Sequence, residues 1–429
     1  MTVGRGTTRK STVERAALLT LTTRATRAVD PEASLDELAG LAQAAGAEVV
    51  LRAMQERPTP DAATVFGKGK AEEIALACRT AEADVVIIDH HLSPAQARNL
   101  ERVFGRRVID RTELILDIFA LRARTREGKL QVELAQLQYL LPRLVGSSEA
   151  LSRLGGGIGT RGPGETKLET DRRRIRHRIA ALKREIAEVS GRRGYLRARR
   201  RRGDVPTVAL VGYTNAGKTT LFNVLTGDNA VASDALFVTL DPLVRRVRLP
   251  DTRHIMMADT VGFIDRLPHS LVAAFRATLE EVIDADLLLH VVDASAEDCD
   301  RRDKAVREVL TEIGAGAVPM LEVYNKCDRL DPRDRDRLAA SSTNAVCVSA
   351  TEQQGIRELL DLVTSRLAMD TEAAVFELDY GDARDRRFLA DVHRHGQVTS
   401  QVSVGDHVTV HADVPRRWLE KTGRMRPTA

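Results

Sequence analysis

Residues 207–221 read Thr-Val-Ala-Leu-Val-Gly-Tyr-Thr-Asn-Ala-Gly-Lys-Thr-Thr-Leu. A strand-like apolar run, Thr207 to Val211, passes directly into a turn bounded by Gly212 and Gly217. Lys218-Thr219 follows and opens the helical stretch Thr220 to Leu225. Strand, GxxxxGK[ST] and helix in that order are the signature of a phosphate-binding loop in an α/β domain with a mostly parallel sheet and helices on both faces. Backbone N–H groups must turn inward around phosphate oxygens there, and a Cβ at Gly212 or Gly217 would obstruct that path. Lys218 neutralises the outer phosphates, and the Thr219 hydroxyl is placed to ligate Mg2+. A glycine turn serving only as a connection does not ask for Lys-Thr. The candidate phosphate site is thus Gly212, Tyr213, Thr214, Asn215, Ala216, Gly217, Lys218, Thr219 and Thr220.

Downstream, His254 to Ala258 reads as a strand delivering Asp259-Thr260-Val261-Gly262. In this DxxG arrangement the carboxylate holds Mg2+ through water and the glycine amide senses the terminal phosphate. The apolar run Ala317 to Val323 ends in Asn325-Lys326-Cys327-Asp328. A carboxylate at Asp328 can accept two hydrogens from the ring N–H and exocyclic amine of guanine, a pair that adenine lacks, so the expected substrate is GTP. Ser349-Ala350, after the strand-like Ala345 to Val348, fits a loop that meets the guanine carbonyl. Thr239, with Phe237 and Val238 before it, is the candidate for a mobile threonine that completes Mg2+ coordination when the γ-phosphate is present. The expected metal ligands are Thr219, Thr239 and Asp259, and the expected catalytic groups are Lys218, Thr239 and Gly262. Phe263 stands where many GTPases have a water-orienting glutamine, a task a phenyl ring cannot perform. Hydrolysis is expected to be slow alone and to depend on a partner.

The 429 residues exceed what one hydrophobic core supports, so several domains are expected. Residues 1–111 alternate apolar runs (Ala16 to Leu21, Glu48 to Leu51, Asp84 to Ile88, Arg107 to Ile109) with amphipathic stretches, which predicts a small α/β subdomain. Residues 112–203 predict a helical hairpin. Its first helix covers 112–141 and ends near Pro142. Its second covers about 168–190, with the seam Ile175, Ile179, Leu182, Ile186 and Val189. Between them Gly146 to Lys167, dense in glycine, reads as a functional loop. Residues 204–368 form the nucleotide-binding domain, and 369–429 a small α+β domain.

Aromatic content of 3% argues against base stacking as a main binding device, so nucleic-acid contact would fall to Arg and Lys. Residues 172–202 hold fourteen Arg or Lys against two Glu, an excess too large for ordinary i,i+4 pairing and suited to RNA phosphates. Arg172, Arg173, Arg174 and Arg176 in that run, with Arg153 and Arg161 in the loop, are the candidate RNA contacts. The four cysteines form neither CxxC pairs nor a zinc pattern, and no apolar run reaches membrane-spanning length. A cytoplasmic and monomeric protein is expected.

With these motifs in place, the chain resembles the HflX family of ribosome-associated GTPases, within the Obg-HflX class. The residues that carry the resemblance are 212–223, Asp-Thr-Val-Gly-Phe-Ile at 259–264, Leu-Pro-His at 267–269, Gln-Val-Glu-Leu-Ala-Gln-Leu at 131–137 and Gly-Thr-Arg-Gly-Pro-Gly-Glu-Thr at 159–166. The resemblance implies binding to the large ribosomal subunit and its rRNA. It also implies a hairpin loop, here Gly146 to Glu165, reaching toward the peptidyl-transferase centre, and GTP-dependent splitting of stalled or idle ribosomes. The alternative is a ribosome-assembly or hibernation factor that uses GTP only as a binding switch.

Overall fold

The computed structural model describes residues 13–24, 30–144, 163–202, 205–230, 235–251, 253–265, 276–340, 343–368 and 371–415, together with 418, 419 and 422. They fall into two compact units, the first made by residues up to Ile186 with Ala235–Phe237, the second by most of the chain from Ala187 onward.

In the first unit β1 (Arg15–Thr22), β2 (Glu48–Glu56), β3 (Val85–Ile88) and β4 (Arg107–Asp110) form a parallel sheet in the order β2-β1-β3-β4. Parallel neighbours need crossovers, supplied by α1 (Pro31–Ala44), α2 (Lys68–Thr80) and α3 (Pro94–Phe104). The central β1 is buried from Ala16 to Leu21, whereas β2, at the edge, alternates. Helix starts are written locally: Asp30 accepts from the Glu32 amide ahead of α1, and Ser93 with Gln96 closes a capping box ahead of α3.

The single helix expected over residues 112–141 is two helices, α4 (Arg111–Arg122) and α5 (Arg126–Arg143). The Thr125 hydroxyl accepts from the Gly128 amide at 3.0 Å and caps α5, while Ala123 turns extended. A threonine offering the backbone this alternative bond outweighs the helical periodicity around it. Pro142 is accommodated in the last turn of α5 instead of ending the helix before it. The helix α6 (Pro163–Arg202) starts earlier and runs further than the 168–190 expected, so Pro163 to Lys167 are helical and not loop. The middle of the expected seam packs: Leu130, Leu134 and Leu182 are buried, with Leu137, Ile179 and Ile186 against them, while Ile175 and Val189 are not part of this cluster. Arg178 clamps Glu133 across it through two 2.7 Å bonds, which fixes the register of the two helices.

The second unit carries β5 (Thr207–Gly212), α7 (Lys218–Thr226), β6 (Leu243–Arg248), β7 (His254–Asp259), α8 (Arg276–Ile283), β8 (Leu287–Asp293), α9 (Cys299–Glu312), β9 (Met320–Asn325), α10 (Pro332–Ala340), β10 (Ala345–Cys347) and α11 (Ile356–Ala368). The sheet order is β10-β9-β8-β5-β7-β6, parallel except for the edge strand β6. Val208, Leu210, Leu289 and Val291 are wholly buried at its centre, each contributing roughly 1.5–3 kcal/mol by leaving water. With β5 and β8 fixed, the ends of β5, β7 and β9 bring the predicted motifs to one edge. The chain then forms an antiparallel sheet β11-β13-β12 from β11 (Thr371–Asp379), β12 (Gln397–Val404) and β13 (His407–Pro415), with α12 (Ala383–His395) between β11 and β12 in the chain. Trp418 stacks on Phe388 at 5.4 Å in its core, and this small α+β arrangement agrees with the expectation for the last block.

Candidate functional site

β5 ends at Gly212, whose φ of 150° is in a region L side chains rarely adopt; a Cβ there would collide with the Val291 carbonyl. Gly217, at φ 90°, lies against the Asn325 amide and has no room for a Cβ either. Between them Tyr213, Thr214 and Ala216 are buried and Asn215 is exposed in a left-handed conformation. Lys218, at the N-terminus of α7, folds back so that Nζ donates to the carbonyls of Gly212 at 3.0 Å and Tyr213 at 2.7 Å. Burial pushes its ammonium down to about 8, against the pull of Asp259. Thr220, next in α7, is half-buried.

The three expected metal ligands meet. Thr219 Oγ1 lies 2.8 Å from Thr239 Oγ1 and donates to Asp259 Oδ2 at 2.8 Å, and Thr239 Oγ1 donates to the same oxygen at 3.2 Å. Burial raises the Asp259 carboxyl, opposed by the Thr219 hydroxyl and the Lys218 charge. Its other oxygen, Oδ1, is buried without a hydrogen-bond partner. An orphaned carboxylate oxygen beside two hydroxyls is a donor set that suits a hard divalent cation such as Mg2+, with water and substrate phosphates supplying the remaining oxygens. Among the described residues no three His, Cys, Asp or Glu side chains form a metal cage of their own.

Thr260 is buried, its hydroxyl donating to the Leu210 carbonyl at 2.6 Å, so it braces β7 to β5; Val261 is buried beside it. A Cβ on Gly262 would sit 2.9 Å from Thr214 Cα and 3.1 Å from Lys218 Nζ. Phe263 is 1% exposed, its amide donating to the Gly212 carbonyl at 3.0 Å and its carbonyl accepting from Thr214 at 2.7 Å. It is core, as its chemistry allows, and no glutamine stands in its place. Val238 is half-buried. Phe237 groups with the first unit, where its ring meets Phe119 edge-on at 4.7 Å.

At the base-reading end, Asn325 Nδ2 donates to the Ala216 carbonyl at 2.9 Å and Oδ1 accepts from the Ala350 amide at 3.1 Å. Lys326 Nζ reaches the Asn215 carbonyl at 2.8 Å and Asp293 Oδ2 at 2.7 Å. Asp328 is exposed and Ser349 is buried. Sequence reading missed Asp293, the partner of Lys326, although its place at the end of the buried strand β8 marks it. It also missed Arg301 of α9, which holds Asp265 at 2.9 Å two residues after Phe263, while the Asp265 amide donates to the Tyr213 hydroxyl at 2.9 Å.

Of the candidate RNA contacts, Arg173, Arg174 and Arg176 are exposed on α6 and Arg172 is half-buried; Arg153 and Arg161 lie outside the described residues. No described helix is long and apolar enough to cross a membrane.

A mostly parallel sheet whose strand ends gather a GxxxxGKT loop, a DxxG segment and an NKxD segment defines a P-loop GTPase. Three family models match successive parts of the chain between residues 32 and 326: GTP-binding GTPase N-terminal at 32–120, GTP-binding GTPase Middle Region at 122–200, and 50S ribosome-binding GTPase at 207–326. Curated relatives include GTPase HflX of Caldanaerobacter subterraneus subsp. tengcongensis, 47% identical over 90% of this chain and 88% of that one. GTPase HflX of Escherichia coli strain K12 is 50% identical over 82% and 83%. The chain belongs to the GTPase HflX family, and it binds and hydrolyses GTP. A GTP-binding protein from Sulfolobus solfataricus in complex with GDP is 26% identical over 82% of this chain and 98% of that one, with a TM-score of 0.44.

Proposed function

We propose that this chain is a ribosome-associated GTPase that binds the large subunit and splits stalled or idle ribosomes. The observation that carries the reading is Phe263, buried and bonded through its backbone to the phosphate loop, with no polar side chain of its own for the attacking water. A chain that belongs to a hydrolysing family yet has no such group at that place needs a partner to complete the site. The model description 50S ribosome-binding GTPase over 207–326 and the fourteen cations of 172–202 point to a large-subunit RNA surface as that partner.

In this reading the amides of residues 212–220 cradle the phosphates and Lys218 neutralises the β- and γ-phosphates. Thr219, Thr239 and Asp259 would hold Mg2+, which would supply positive charge beside the transferred phosphoryl group. The Gly262 amide meets the γ-phosphate, while Asp328 reads guanine with Ser349 and Ala350 behind it. Arg172, Arg173, Arg174 and Arg176 contact rRNA without reading its sequence.

The test is sedimentation of intact ribosomes with the protein and a non-hydrolysable GTP analogue, alongside GTP turnover with and without isolated large subunits. Conversion to subunits before hydrolysis, with turnover at least tenfold faster on large subunits, is expected. Intact ribosomes that hold the protein without separating would favour an assembly or hibernation role, and equal turnover in both conditions would remove the ribosome from the reading.

A further inference from the structure

The carboxyl edge of the first unit's sheet holds a second buried polar centre. Asp110, the last residue of β4, is 1% exposed. Its Oδ1 accepts from the Tyr139 hydroxyl at 2.6 Å and the Glu113 amide at 3.0 Å. Its Oδ2 accepts from the Leu92 amide at 3.1 Å and Arg143 Nη2 at 2.9 Å, with His91 Nδ1 at 3.4 Å. Arg143 Nη2 also donates to the Leu92 carbonyl at 3.0 Å, and its guanidinium lies 3.5 Å over the Tyr139 ring. Burial alone would raise the Asp110 carboxyl; the bonds from His91, Tyr139 and the two amides hold it below the usual range.

Tyr139 and Arg143 are four residues apart and share one face at the end of α5. The seam residue Leu137 and the Arg178–Glu133 clamp hold the helix up to the turn before it. Leu140 is 42% exposed, and the fully buried part of the hairpin seam, Leu130 and Leu134, lies further back along the helix. Apolar packing along the seam is less directional than a hydrogen bond. Directional, charge-assisted bonds to one carboxylate add a fixed point in the last turn, beyond the buried seam.

We propose that Asp110 is a positioning residue: through Tyr139 and Arg143 it sets the direction in which α5 delivers the chain beyond Leu144. It thereby governs how productively the hairpin engages the large subunit. The proposal rests on the ribosome reading above.

It is tested in the full chain with Asp110→Asn, which keeps the shape and removes the charge, with Tyr139→Phe, and with the double variant. The expected result is unchanged GTP turnover without ribosomes, affinity for large subunits within about threefold, and maximal splitting rate at saturating protein about tenfold or more lower. The double variant should be no worse than Asp110→Asn, since both act through one contact. An unchanged maximal rate overturns the proposal. So does a fall of rate and affinity together in proportion to the folded fraction, the outcome of a purely structural role. If the wild-type chain neither binds nor splits ribosomes, the ribosome reading is what fails. Amide exchange then decides the anchoring alone: residues 138–144 should exchange about tenfold faster in Asp110→Asn while the rest of the first unit is unchanged, and equal exchange refutes it.

Discussion

Asn325 donates from Nδ2 to the carbonyl of Ala216 at 2.9 Å, so the residue that opens the NKxD segment also holds the GxxxxGKT loop. Its Oδ1 accepts from the Ala350 amide, which ties a third segment to the same side chain. Asn325→Ala leaves a buried carbonyl and a buried amide without partners, at about 1–3 kcal/mol each. We expect GTP affinity to fall at least about tenfold and the melting temperature to drop by several degrees, read by nucleotide titration and calorimetry. Wild-type affinity in this variant would mean that the three segments hold their places independently.

Asp328→Asn should move base preference from guanine toward xanthine, because an amide can donate to the carbonyl that replaces the guanine amine. Binding of labelled GTP and XTP reads it, and a loss of about two orders of magnitude for GTP is expected. Unchanged GTP affinity would remove Asp328 from the base site.

Lys218→Ala should weaken triphosphate binding by about a hundredfold, the roughly 3 kcal/mol of a charge-assisted bond in a water-poor site, and diphosphate binding by less. Equal losses for GTP and GDP would place the lysine away from the γ-phosphate.

His290 lies within β8 at 1% exposure, with Nδ1 3.3 Å from Asp303 Oδ1. Burial holds its imidazole down at about 4, where Asp303 and Glu322 pull it up and Arg307 and Lys218 push it down. The folded pKa is below the unfolded 6.5, so the unfolded chain takes up the proton first. Stability is therefore full above the unfolded pKa and is lost as pH falls from there toward the folded one. From about pH 7.5 to about pH 5 the wild-type chain should lose roughly 2 kcal/mol that His290→Leu does not, measured by denaturant titration at each pH. Parallel pH profiles for the two proteins would show that the ring is not held neutral.

Replacing residues 146–162 with a short Gly-Ser linker should leave folding, GTP binding and salt-sensitive subunit binding in place while abolishing splitting. The exchange stops at 162 because Pro163 already belongs to α6. A shortened chain that splits ribosomes at the wild-type rate would return the work to the basic helix or the GTPase domain.

The sequence by itself determined the motifs of the candidate nucleotide site, because phosphate and guanine impose local demands. Gly212 and Gly217 must lack a Cβ, Lys218-Thr219 must open a helix, and Asp259 and Asp328 must follow strands; each demand is met within a few residues of chain. The sequence also determined the hairpin seam, since the spacing of Leu130 to Leu137 and Ile179 to Ile186 states which faces meet. Only the tertiary structure decided what depends on distant partners or on competition between local signals. The break at Thr125 is a contest between a capping hydroxyl and helical periodicity, and periodicity alone does not report who wins. The edge-on contact of Phe237 with Phe119, more than a hundred residues apart, is likewise absent from any local pattern. Asp293 comes beside the NKxD segment only where β8 and β9 lie side by side and Lys326 reaches across. Asp110 carries no motif at all. Its role comes from β4, the turn at Leu92 and the last turn of α5 converging on one carboxylate, and such convergence exists only once the sheet has ordered its strands.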